Sequence, residues 1–436
     1  MHDNLTGLAN RKYLHETLEA KQKEGKPFSL LLIDLDRFKQ INDALGHYYG
    51  DFVLVEVGKR FKATLPPGAT IYRLGGDEFS IVIPLMPPTQ LQHFVLALHQ
   101  SLEQHFEIDN YELSVGASIG ISHFPQNSRD KNHLILMADL AMYAAKNKGE
   151  LYKTYEPSLE SDAAQRVEIS ARLKHALDEE EFELWYQPII DLQTNEIHGA
   201  EALIRWPQPD GSFISPEKFI AIAEQSSLIN RITDWFFTQV TKDIEAIKQC
   251  GFDLCVHINL SVRDLQSDLI VPKVRKILDE HSLSQHQLML EVTESAMMTN
   301  IDQVCHTMSR ISEAGLVFSI DDFGTGFSSL AILRDLPIGQ IKIDRSFVSQ
   351  MAQSNSDFAI VESTAFLAHK LNCSVVAEGV EDEQTAAKLK ALGCDYAQGY
   401  FYSKPVKFES FKEYINQHTE MQAKQAFQEI PAQRPV

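Results

Sequence analysis

The sequence predicts an α/β protein of two domains, a mixed-sheet domain followed by a modified (β/α)8 TIM-type barrel with one antiparallel strand. The chain has 436 residues, more than one ordinary hydrophobic core accommodates. In its first third, strand and helix patterns interleave around a hairpin, which makes the sheet mixed. In the remainder, eight strand candidates alternate with helical stretches, the count that a (β/α)8 barrel requires.

Composition and charge argue for a globular chain without a polyanion-binding surface. Hydrophobic residues make up 44% and charged residues 23% of the sequence. The net charge of -20 disfavours binding to nucleic acid or to an anionic membrane, although a small phosphate ligand needs only local cations and a metal. The five cysteines form no Cys-x-x-Cys pair, and no apolar run has the length of a membrane span. We therefore expect a cytoplasmic chain that makes no membrane contact itself.

The first domain is expected over residues 1–155. Its helical patterns lie at 10–21, 51–65, 90–106 and 132–147, and its strand patterns at 28–33, 70–74, 79–83 and 113–123. Gly75 and Gly76 permit positive φ between two strands, which predicts the hairpin. A polar connector with Pro157 is expected at 156–164.

Acidic residues stand where this domain's strands end. Asp34 follows the strand at 28–33, and Asp77 lies in the hairpin turn. Together they can hold Mg²⁺ on a triphosphate, whereas Asp34 alone is more typical of a solvated strand end. The other candidate nucleotide contacts are the backbone at Gly75 and Gly76, the guanine-edge partners Asn42 and Asp51, and the phosphate contact Lys39.

These residues carry a family resemblance. The pentapeptide Gly-Gly-Asp-Glu-Phe at 75–79 resembles the signature of the GGDEF family, the diguanylate cyclases. The segments 3–11, 34–43 and 46–51 resemble its opening motif and its metal and guanine segment. The resemblance implies a nucleotidyl-cyclase-like fold that binds GTP with Mg²⁺ at Asp34 and Asp77, with Glu78 and Lys146 also at the nucleotide.

Two positions depart from that family's pattern. Pro66-Pro67-Gly68-Ala69 stands where the product-inhibition motif Arg-x-x-Asp is expected, so we expect no feedback site. The last helix ends Lys146-Asn147-Lys148-Gly149-Glu150 in place of Lys-x-x-Gly-Arg, which puts a carboxylate near the triphosphate. GTP binding in a regulatory role is therefore expected, and cyclase activity is left open. Because such domains usually follow a sensory module, we also expect a longer parent protein, with a membrane anchor among the options for its upstream part.

The second domain is expected over 165–418, with a tail at 419–436. Its strand candidates are 182–192, 196–206, 255–261, 288–294, 317–323, 340–347, 374–380 and 396–402. Its helix candidates are 167–179, 230–250, 303–314, 357–372, 383–392 and 414–427. The first connection, Gln193 to Asn195, is too short for a helix, so the first strand pair is predicted to be antiparallel.

Polar side chains follow nearly every one of these strands, at the end where barrel active sites form. Asp321 and Asp322 are adjacent and repel each other, which favours a bound cation, although a solvated turn explains this pair alone. The full set is Glu201, Asn259, Glu291, Glu294, Asp321, Asp322, Lys342, Asp344, Glu378, Glu381 and Gln398.

These positions carry a second resemblance. Glu-Ala-Leu-Ile-Arg-Trp at 201–206 resembles the opening motif of the EAL family, the cyclic di-GMP phosphodiesterases, and the segments 257–261, 291–294, 321–326, 341–344, 378–381 and 398–399 resemble its later motifs. The resemblance implies hydrolysis of cyclic di-GMP to linear pGpG with two Mg²⁺ or Mn²⁺ ions, and a homodimer through this domain.

The same resemblance implies a role for each residue. The first metal is assigned to Glu201, Asn259, Glu291 and Asp321, and the second to Asp321, Asp322 and Glu378. Lys342 is expected to position the attacking water with Asp344 in support, and Glu294 to anchor the glycine-rich loop after Asp322. Gln187, Arg205 and Gln398 are expected to bind the substrate.

Two alternatives stay open. A bifunctional cyclase and phosphodiesterase is one, and a non-catalytic cyclic di-GMP receptor is the other. The complete acidic set argues against a receptor, which has no need of a full metal site. The scattered histidines argue against the phosphodiesterases that use a clustered His-Asp centre.

Overall fold

The computed structural model of the chain describes residues 1–281, 283–294, 300–326 and 330–428. The chain divides between Val167 and Glu168 into two compact units. In the described residues, no helix combines the length and the apolar character that a membrane span requires.

The first unit is built on a mixed six-stranded sheet. Its strands are β1 (Ala9–Asn10), β2 (Phe28–Asp36), β3 (Thr70–Gly75), β4 (Glu78–Pro84), β7 (Gly116–Phe124) and β8 (Tyr152–Thr154), in the order β1-β3-β4-β2-β7-β8. A separate hairpin pairs β5 (Phe106–Ile108) with β6 (Tyr111–Leu113). Its helices are Arg11–Glu24, Phe38–Leu45, His47–Thr64, Pro88–Glu103 and Lys131–Lys148, followed by Ser158–Asp178, which continues past Val167.

The central strand β2 explains this layering. It pairs with β4 and β7, and its alternate residues enter two different cores. Leu31 and Ile33 pack in the core that includes Val53 and Leu98, whereas Leu30 and Leu32 pack in the other. A continuous apolar run is therefore buried on both faces.

The second unit contains a closed barrel of eight strands. They are β9 (Glu183–Asp191), β10 (Ile197–Pro207), β12 (Cys255–Asn259), β13 (Leu288–Thr293), β14 (Val317–Phe323), β15 (Ile338–Ile343), β16 (Ser374–Ala377) and β17 (Tyr396–Ala397), closed by pairing of β17 with β9. The short strands β11 (Phe213–Ile214) and β18 (Val406–Lys407) are added outside it. Strand β9 runs antiparallel to both neighbours, which confirms the predicted modified barrel.

Helices connect most of the strands. They are Pro216–Ala223, Leu228–Gln249, Val262–Leu265, Ile270–Glu280, the 3-10 turn Gln285–Gln287, Ile301–Ser312, Leu330–Asp335, Arg345–Gln350, Asn355–Lys370, Glu383–Ala391 and Phe408–Gln428. The core formed by the barrel and these helices includes Tyr186, Trp206 and Phe318.

Several element bounds differ from the expected ones. The segment 156–164, expected to be a connector, is helical from Ser158, and the helix expected at 414–427 spans Phe408–Gln428, which extends into the segment expected to be a tail. The remaining expected tail, 429–436, lies outside the described residues. The eighth strand ends at Ala397, five residues before its predicted end, because the chain turns at Gly399, where a Cβ would lie 2.1 Å from the Val380 carbonyl oxygen.

Candidate active site

The polar side chains of the barrel lie towards the same end of its parallel strands. Asn259 on β12 lies directly opposite Glu291 on β13, and Asp321 on β14 lies opposite Thr293. Lys342 on β15 continues this series around the barrel. Because parallel strands end on the same side, residues far apart in sequence meet there.

Lys342 is the centre of the cluster. Its side chain is fully buried, and its Nζ lies 2.7 Å from Glu378 Oε1, 3.0 Å from Glu291 Oε1 and 3.2 Å from Glu201 Oε2. Asp321 Oδ1 is also near, at 3.4 Å. Burial alone would lower the pKa of Lys342, but these carboxylates raise it well above its usual value, so the ammonium stays charged.

Two overlapping groups of carboxylates surround this lysine. One oxygen each from Glu201, Glu291 and Asp321 lie within 4.8 Å of one another, and so do oxygens from Asp321, Asp322 and Glu378. Asp321 is common to both groups. Five carboxylates therefore face one lysine, an excess of negative charge that a buried site accommodates only with further cations or protons.

The carboxyl pKa values reflect this excess. Burial raises the pKa of Glu291 and of Glu378 well above the ordinary value, and neighbouring carboxylates add to it. Burial, with Asp321 and Asp344 nearby, raises the pKa of Asp322 to about 6. Each of these shifts would be opposed by a divalent cation, which favours the ionised carboxylate.

Amide side chains complete the floor of the cluster. Asn259 Nδ2 donates to Glu201 Oε1 at 2.9 Å and to Glu291 Oε2 at 3.3 Å, which leaves its Oδ1 as a free acceptor in the described contacts. Gln398 Nε2 donates to Glu201 Oε2 at 2.7 Å and to Gln187 Oε1 at 2.9 Å, and Gln187 in turn donates to the Ser403 carbonyl. Two of the three expected substrate contacts are thus joined to the acidic cluster.

The third expected substrate contact, Arg205, lies outside that network. It is partly buried on β10, and its Nη1 donates to the Ile204 carbonyl at 2.9 Å. Burial lowers its pKa. The remaining guanidinium donors are not used by any described protein acceptor.

The loop after β14 is fixed by a buried carboxylate. Glu294 is 1% exposed, and its Oε2 accepts from the backbone N–H groups of Gly324 at 2.9 Å and Gly326 at 3.1 Å. A Cβ on Gly326 would lie 2.9 Å from Glu294 Oε1. Asp322 has φ +55, a conformation uncommon for residues other than glycine, so the anchored loop supports a strained backbone at a residue of the second carboxylate group.

Asp344 caps a helix at the end of β15. Its carboxylate accepts from Ser346 N at 3.0 Å and from the Ser346 hydroxyl, at the start of the helix Arg345–Gln350. The structure records no hydrogen bond from Asp344 to Lys342 among the described residues, so its expected support of that lysine stays a prediction. Asp344 acts on the cluster through its charge, which raises the pKa of Asp322.

In the first unit, the expected nucleotide residues lie near the hairpin. Lys146 Nζ contacts Asp34 Oδ2, and Asp34 lies opposite Glu78 across β2 and β4. Glu78 Oε2 pairs with Arg11 at 3.2 Å. Burial raises the pKa of Asp77, and the Asp34 carboxylate acts in the same direction.

The hairpin turn is held by contacts that its residues supply. Gly75 and Gly76 have φ values of +137 and +54, the conformations for which glycine was predicted there. Arg73 donates to the Gly76 carbonyl from two nitrogens and pairs with Asp3 Oδ1 at 2.9 Å. The opening motif therefore fixes the turn.

The expected guanine contacts lie on two adjacent helices. Asn42 is partly buried on Phe38–Leu45, and Asp51 is exposed on His47–Thr64. A Cβ at Gly50 would lie 2.0 Å from Asn42 Oδ1, so only glycine leaves room for this amide. Lys39 is exposed on the same helix as Asn42, available to a phosphate.

The end of the helix Lys131–Lys148 carries the departure from the cyclase pattern. Gly149 ends this helix in the left-handed conformation. The Glu150 carboxylate lies 3.9 Å from Lys153 Nζ and is 44% exposed. The position that the family fills with an arginine therefore supplies a partly exposed carboxylate and no cation.

Comparison with protein families matches both units. The EAL domain family matches residues 170–405, and the family described as diguanylate cyclase, GGDEF domain, matches residues 1–151. The chain belongs to the EAL family, with a GGDEF domain before the EAL domain.

Relatives of known designation share this tandem arrangement in sequence. The chain is 37% identical over 415 residues to the bifunctional diguanylate cyclase/cyclic di-GMP phosphodiesterase MucR of Pseudomonas aeruginosa, covering 94% of this chain and 61% of MucR. It is 36% identical over 420 residues to the cyclic di-GMP phosphodiesterase NbdA of the same organism, covering 95% of this chain and 54% of NbdA. The chain thus spans little more than half the length of these relatives.

A solved structure resembles the EAL domain. The PaMucR phosphodiesterase in complex with c-di-GMP is 36% identical, with a TM-score of 0.54, and covers 56% of this chain and 99% of that chain. The EAL domain of this chain therefore shares both fold and sequence with a barrel that binds that dinucleotide.

Two features of the sites were missed in the sequence. His257 is fully buried against Glu291 in the EAL domain, and Gly50 makes room for Asn42 in the GGDEF domain. Side chains alternate along a strand, so residue 257 lies on the same face as Asn259. The place of His257 beside the site could therefore have been predicted from the strand pattern. The second depends on the packing angle of two helices, which the sequence pattern does not give.

Proposed function

We propose that the EAL domain hydrolyses cyclic di-GMP to linear pGpG with the help of two divalent cations. The observation that carries this proposal is the shared position of Asp321, whose carboxylate belongs to both groups of three convergent acids. One bridging carboxylate between two ligand sets is typical of two-metal phosphodiester hydrolysis. The relatives MucR and NbdA support the substrate, since both names specify cyclic di-GMP phosphodiesterases.

The donor chemistry fits magnesium or manganese. Every ligand in the set offers a carboxylate or amide oxygen, which hard divalent ions prefer, and none offers sulfur or imidazole. Glu201, Glu291 and Asp321, with the Asn259 amide oxygen, would hold the first ion. Asp321, Asp322 and Glu378 would hold the second. Such a pair supplies an activated water and stabilises the attacking and leaving oxygens.

The protein's own groups orient the reaction. Lys342 remains cationic in full burial, so it keeps the surrounding carboxylates in one arrangement and offsets the charge that develops on the phosphate. Gln187 and Gln398 present amide groups beside the acids. Arg205 has guanidinium donors available for a bidentate phosphate contact.

The decisive experiment incubates the chain with cyclic di-GMP in Mg²⁺ or Mn²⁺ and separates the nucleotides by chromatography. We expect pGpG from the wild-type chain and a loss of more than about 100-fold in kcat for Asp321→Asn, because both ions lose a ligand. Asp302→Asn, an exposed position on the helix Ile301–Ser312, is the matched control and should retain full activity. If the chain binds cyclic di-GMP without hydrolysing it, the result would instead support the hypothesis of a non-catalytic cyclic di-GMP receptor.

For the GGDEF domain, we infer GTP binding with Mg²⁺ in a regulatory role. The space that Gly50 leaves for the Asn42 amide, and the positive φ values of Gly75 and Gly76 in the turn that carries Asp77, support a nucleotide site at the hairpin. Glu150 at the position of the family's arginine argues against synthesis of product. A bifunctional enzyme is the second candidate, favoured by the designation of MucR.

We also propose that the chain acts in the cytoplasm as a homodimer through its EAL domain. Reduced cysteines fit that compartment, and all five are free in the structure. Analytical ultracentrifugation of the chain and of the separated unit 168–436 tests the assembly. A monomer across the micromolar range would contradict it.

A further inference from the structure

His257 is a buried imidazole directly behind the acidic cluster. It lies on β12 two residues before Asn259, and therefore on the same face of that strand. The side chains of His257 and Glu291 are both 0% exposed, and His257 Nδ1 lies 2.8 Å from Glu291 Oε1. The histidine is thus in direct hydrogen-bond contact with a carboxylate assigned to the first metal.

This contact restrains one oxygen of Glu291. An ionised carboxylate only accepts hydrogen bonds, so the nitrogen facing it is the protonated Nδ1 donor. The second oxygen, Oε2, accepts from Asn259 Nδ2 at 3.3 Å. Two side chains of β12 therefore contact the two oxygens of Glu291, and Lys342 Nζ contacts the same oxygens at 3.0 Å and 3.1 Å. These contacts together restrain the carboxylate.

The other ring nitrogen indicates why a histidine stands here. His257 Nε2 is buried and makes no hydrogen bond to any described residue. An unpaired buried nitrogen costs stability, and an apolar side chain at this position would avoid that cost. What an apolar side chain cannot supply is the donor at Nδ1.

We propose that His257 is a positioning residue whose Nδ1–H orients the Glu291 carboxylate for the first divalent cation. The inference rests on the proposed two-metal site. It makes the histidine a partner of a ligand, without contact to substrate or ion. Partners of this kind typically change metal affinity by about 10- to 100-fold when they are removed.

The geometry of the ring provides a matched pair of variants. An asparagine amide nitrogen occupies about the position of Nδ1, whereas a glutamine amide nitrogen extends to about the position of Nε2. His257→Asn therefore retains the donor to Glu291, and His257→Gln moves it away. His257→Leu removes both nitrogens and keeps apolar volume.

The test measures Mn²⁺ binding to the full chain without substrate, by electron paramagnetic resonance of the free ion. The Mn²⁺ that the Asp321→Asn chain binds is subtracted as the contribution of other sites. We expect the dissociation constant to rise about 10- to 100-fold in His257→Gln and His257→Leu, and to stay within about threefold of wild type in His257→Asn. In hydrolysis assays, excess Mn²⁺ should restore kcat of the first two variants with KM for cyclic di-GMP unchanged.

The variants also separate this inference from structural damage and from the proposed function. Equal Mn²⁺ affinity in His257→Asn and His257→Gln, or wild-type affinity in His257→Leu, would overturn the inference. If His257→Leu does not fold, the difference in Mn²⁺ affinity between His257→Asn and His257→Gln still tests the inference. A wild-type chain that binds Mn²⁺ without hydrolysing cyclic di-GMP would refute the proposed function alone, while a wild-type chain that binds no Mn²⁺ at this site would refute both.

Discussion

At the scale of single residues, Lys342 shows how charge and burial are balanced in the EAL domain. A fully buried ammonium is costly unless it is paired, and here four carboxylates lie within 3.4 Å of it. The same carboxylates are costly without a cation. The lysine and the acids are thus mutually necessary, and replacing the lysine with an apolar residue would leave buried acids that only protons or metal ions could neutralise.

Gly50 offers a residue-scale prediction in the GGDEF domain. In Gly50→Ala the new Cβ would lie 2.0 Å from Asn42 Oδ1 and 3.0 Å from Phe38 Cζ, so the Asn42 amide must move. We expect GTP affinity to fall by about tenfold or more, roughly the loss of one good hydrogen bond. Isothermal titration with GTP and Mg²⁺ measures it.

A double-mutant cycle separates displacement of this amide from general damage. If Asn42 is the cause, Gly50→Ala should cost little further affinity in an Asn42→Ala background. An undiminished additional loss would place the effect elsewhere. Phosphodiesterase activity of Gly50→Ala without GTP should equal that of wild type.

The position of a side chain could be predicted where a sequence motif determines it, and could not be predicted where local packing or capping determines it. The acids at strand ends were predictable because parallel strands end together, and they converge as expected. The helix cap made by Asp344 was not predicted, because Ser346 lies two residues along the chain and its backbone N–H binds the carboxylate locally. Local capping of this kind competes with tertiary contacts, and the spacing of the motif does not reveal which one prevails.

At the scale of elements, the loop after β14 depends on Glu294. Its carboxylate gathers two backbone N–H groups and supports Asp322 at φ +55. Glu294→Ala removes the acceptor, so Asp322 should relax and the Mn²⁺ concentration for half-maximal hydrolysis should rise about 10- to 100-fold. Glu294→Gln keeps one acceptor oxygen and should lose less. Identical metal dependence in wild type and Glu294→Ala would show that the loop needs no such anchor.

The short helix Val262–Leu265 contains a carboxyl group that links stability to pH. Asp264 is 2% exposed, completes a capping box with Ser261 and accepts from Thr233. Burial raises its pKa from 3.8 to about 6. The folded chain therefore holds this proton more tightly than the unfolded chain, and the contribution of Asp264 to unfolding free energy falls as the pH rises from about 4 to about 6.

Asp264→Asn removes this titration and retains an oxygen for the cap. We expect the unfolding free energy of the variant, relative to wild type, to rise by about 2 kcal/mol between pH 4.5 and 7.5. Urea denaturation followed by tryptophan fluorescence measures the barrel alone, because all three tryptophans, Trp185, Trp206 and Trp235, lie in it. The exposed Asp268→Asn serves as control, and a pH-independent difference for Asp264→Asn would contradict the assignment.

The bounds of a helix or strand were predictable where the periodic pattern of apolar residues has clear limits, and they were less predictable in polar segments. Helix 228–249 lies within two residues of its predicted limits, because its buried face is regular. The segment 156–164 contains Pro157 and many polar side chains, which predicted a connector. It is helical from Ser158, and Leu159 in its first turn is buried with Tyr155. One buried residue in a polar turn is too weak a periodic signal to be recognised in sequence.

At the scale of the whole molecule, the chain joins a GGDEF domain whose last helix departs from the family's pattern to an EAL barrel with a complete acidic set. The fold of each half was predictable because strand and helix patterns alternate through both halves, and each half carries its own set of family motifs, over residues 1–151 and 170–405. The two domains differ in the charged residues that each catalytic pattern requires. The acids at Asp321 and Asp322 are present in the barrel, while the first domain has Glu150 for arginine.

This asymmetry leads to a prediction about the products of the chain. A Glu201→Ala chain, in which breakdown of cyclic di-GMP is blocked, should bind GTP and produce no cyclic di-GMP from it, because Glu150 adds negative charge where a triphosphate needs a cation. Chromatography of nucleotides after incubation with GTP and Mg²⁺ measures this. Product formed by the single variant Glu201→Ala would establish a bifunctional enzyme. Product formed only by the double variant Glu201→Ala with Glu150→Arg would identify the missing positive charge as the cause.

In the wild-type chain, GTP should change the rate of cyclic di-GMP hydrolysis, and Gly50→Ala should shift that response to about tenfold higher GTP concentration. A hydrolysis rate that ignores GTP at every concentration would exclude the regulatory role.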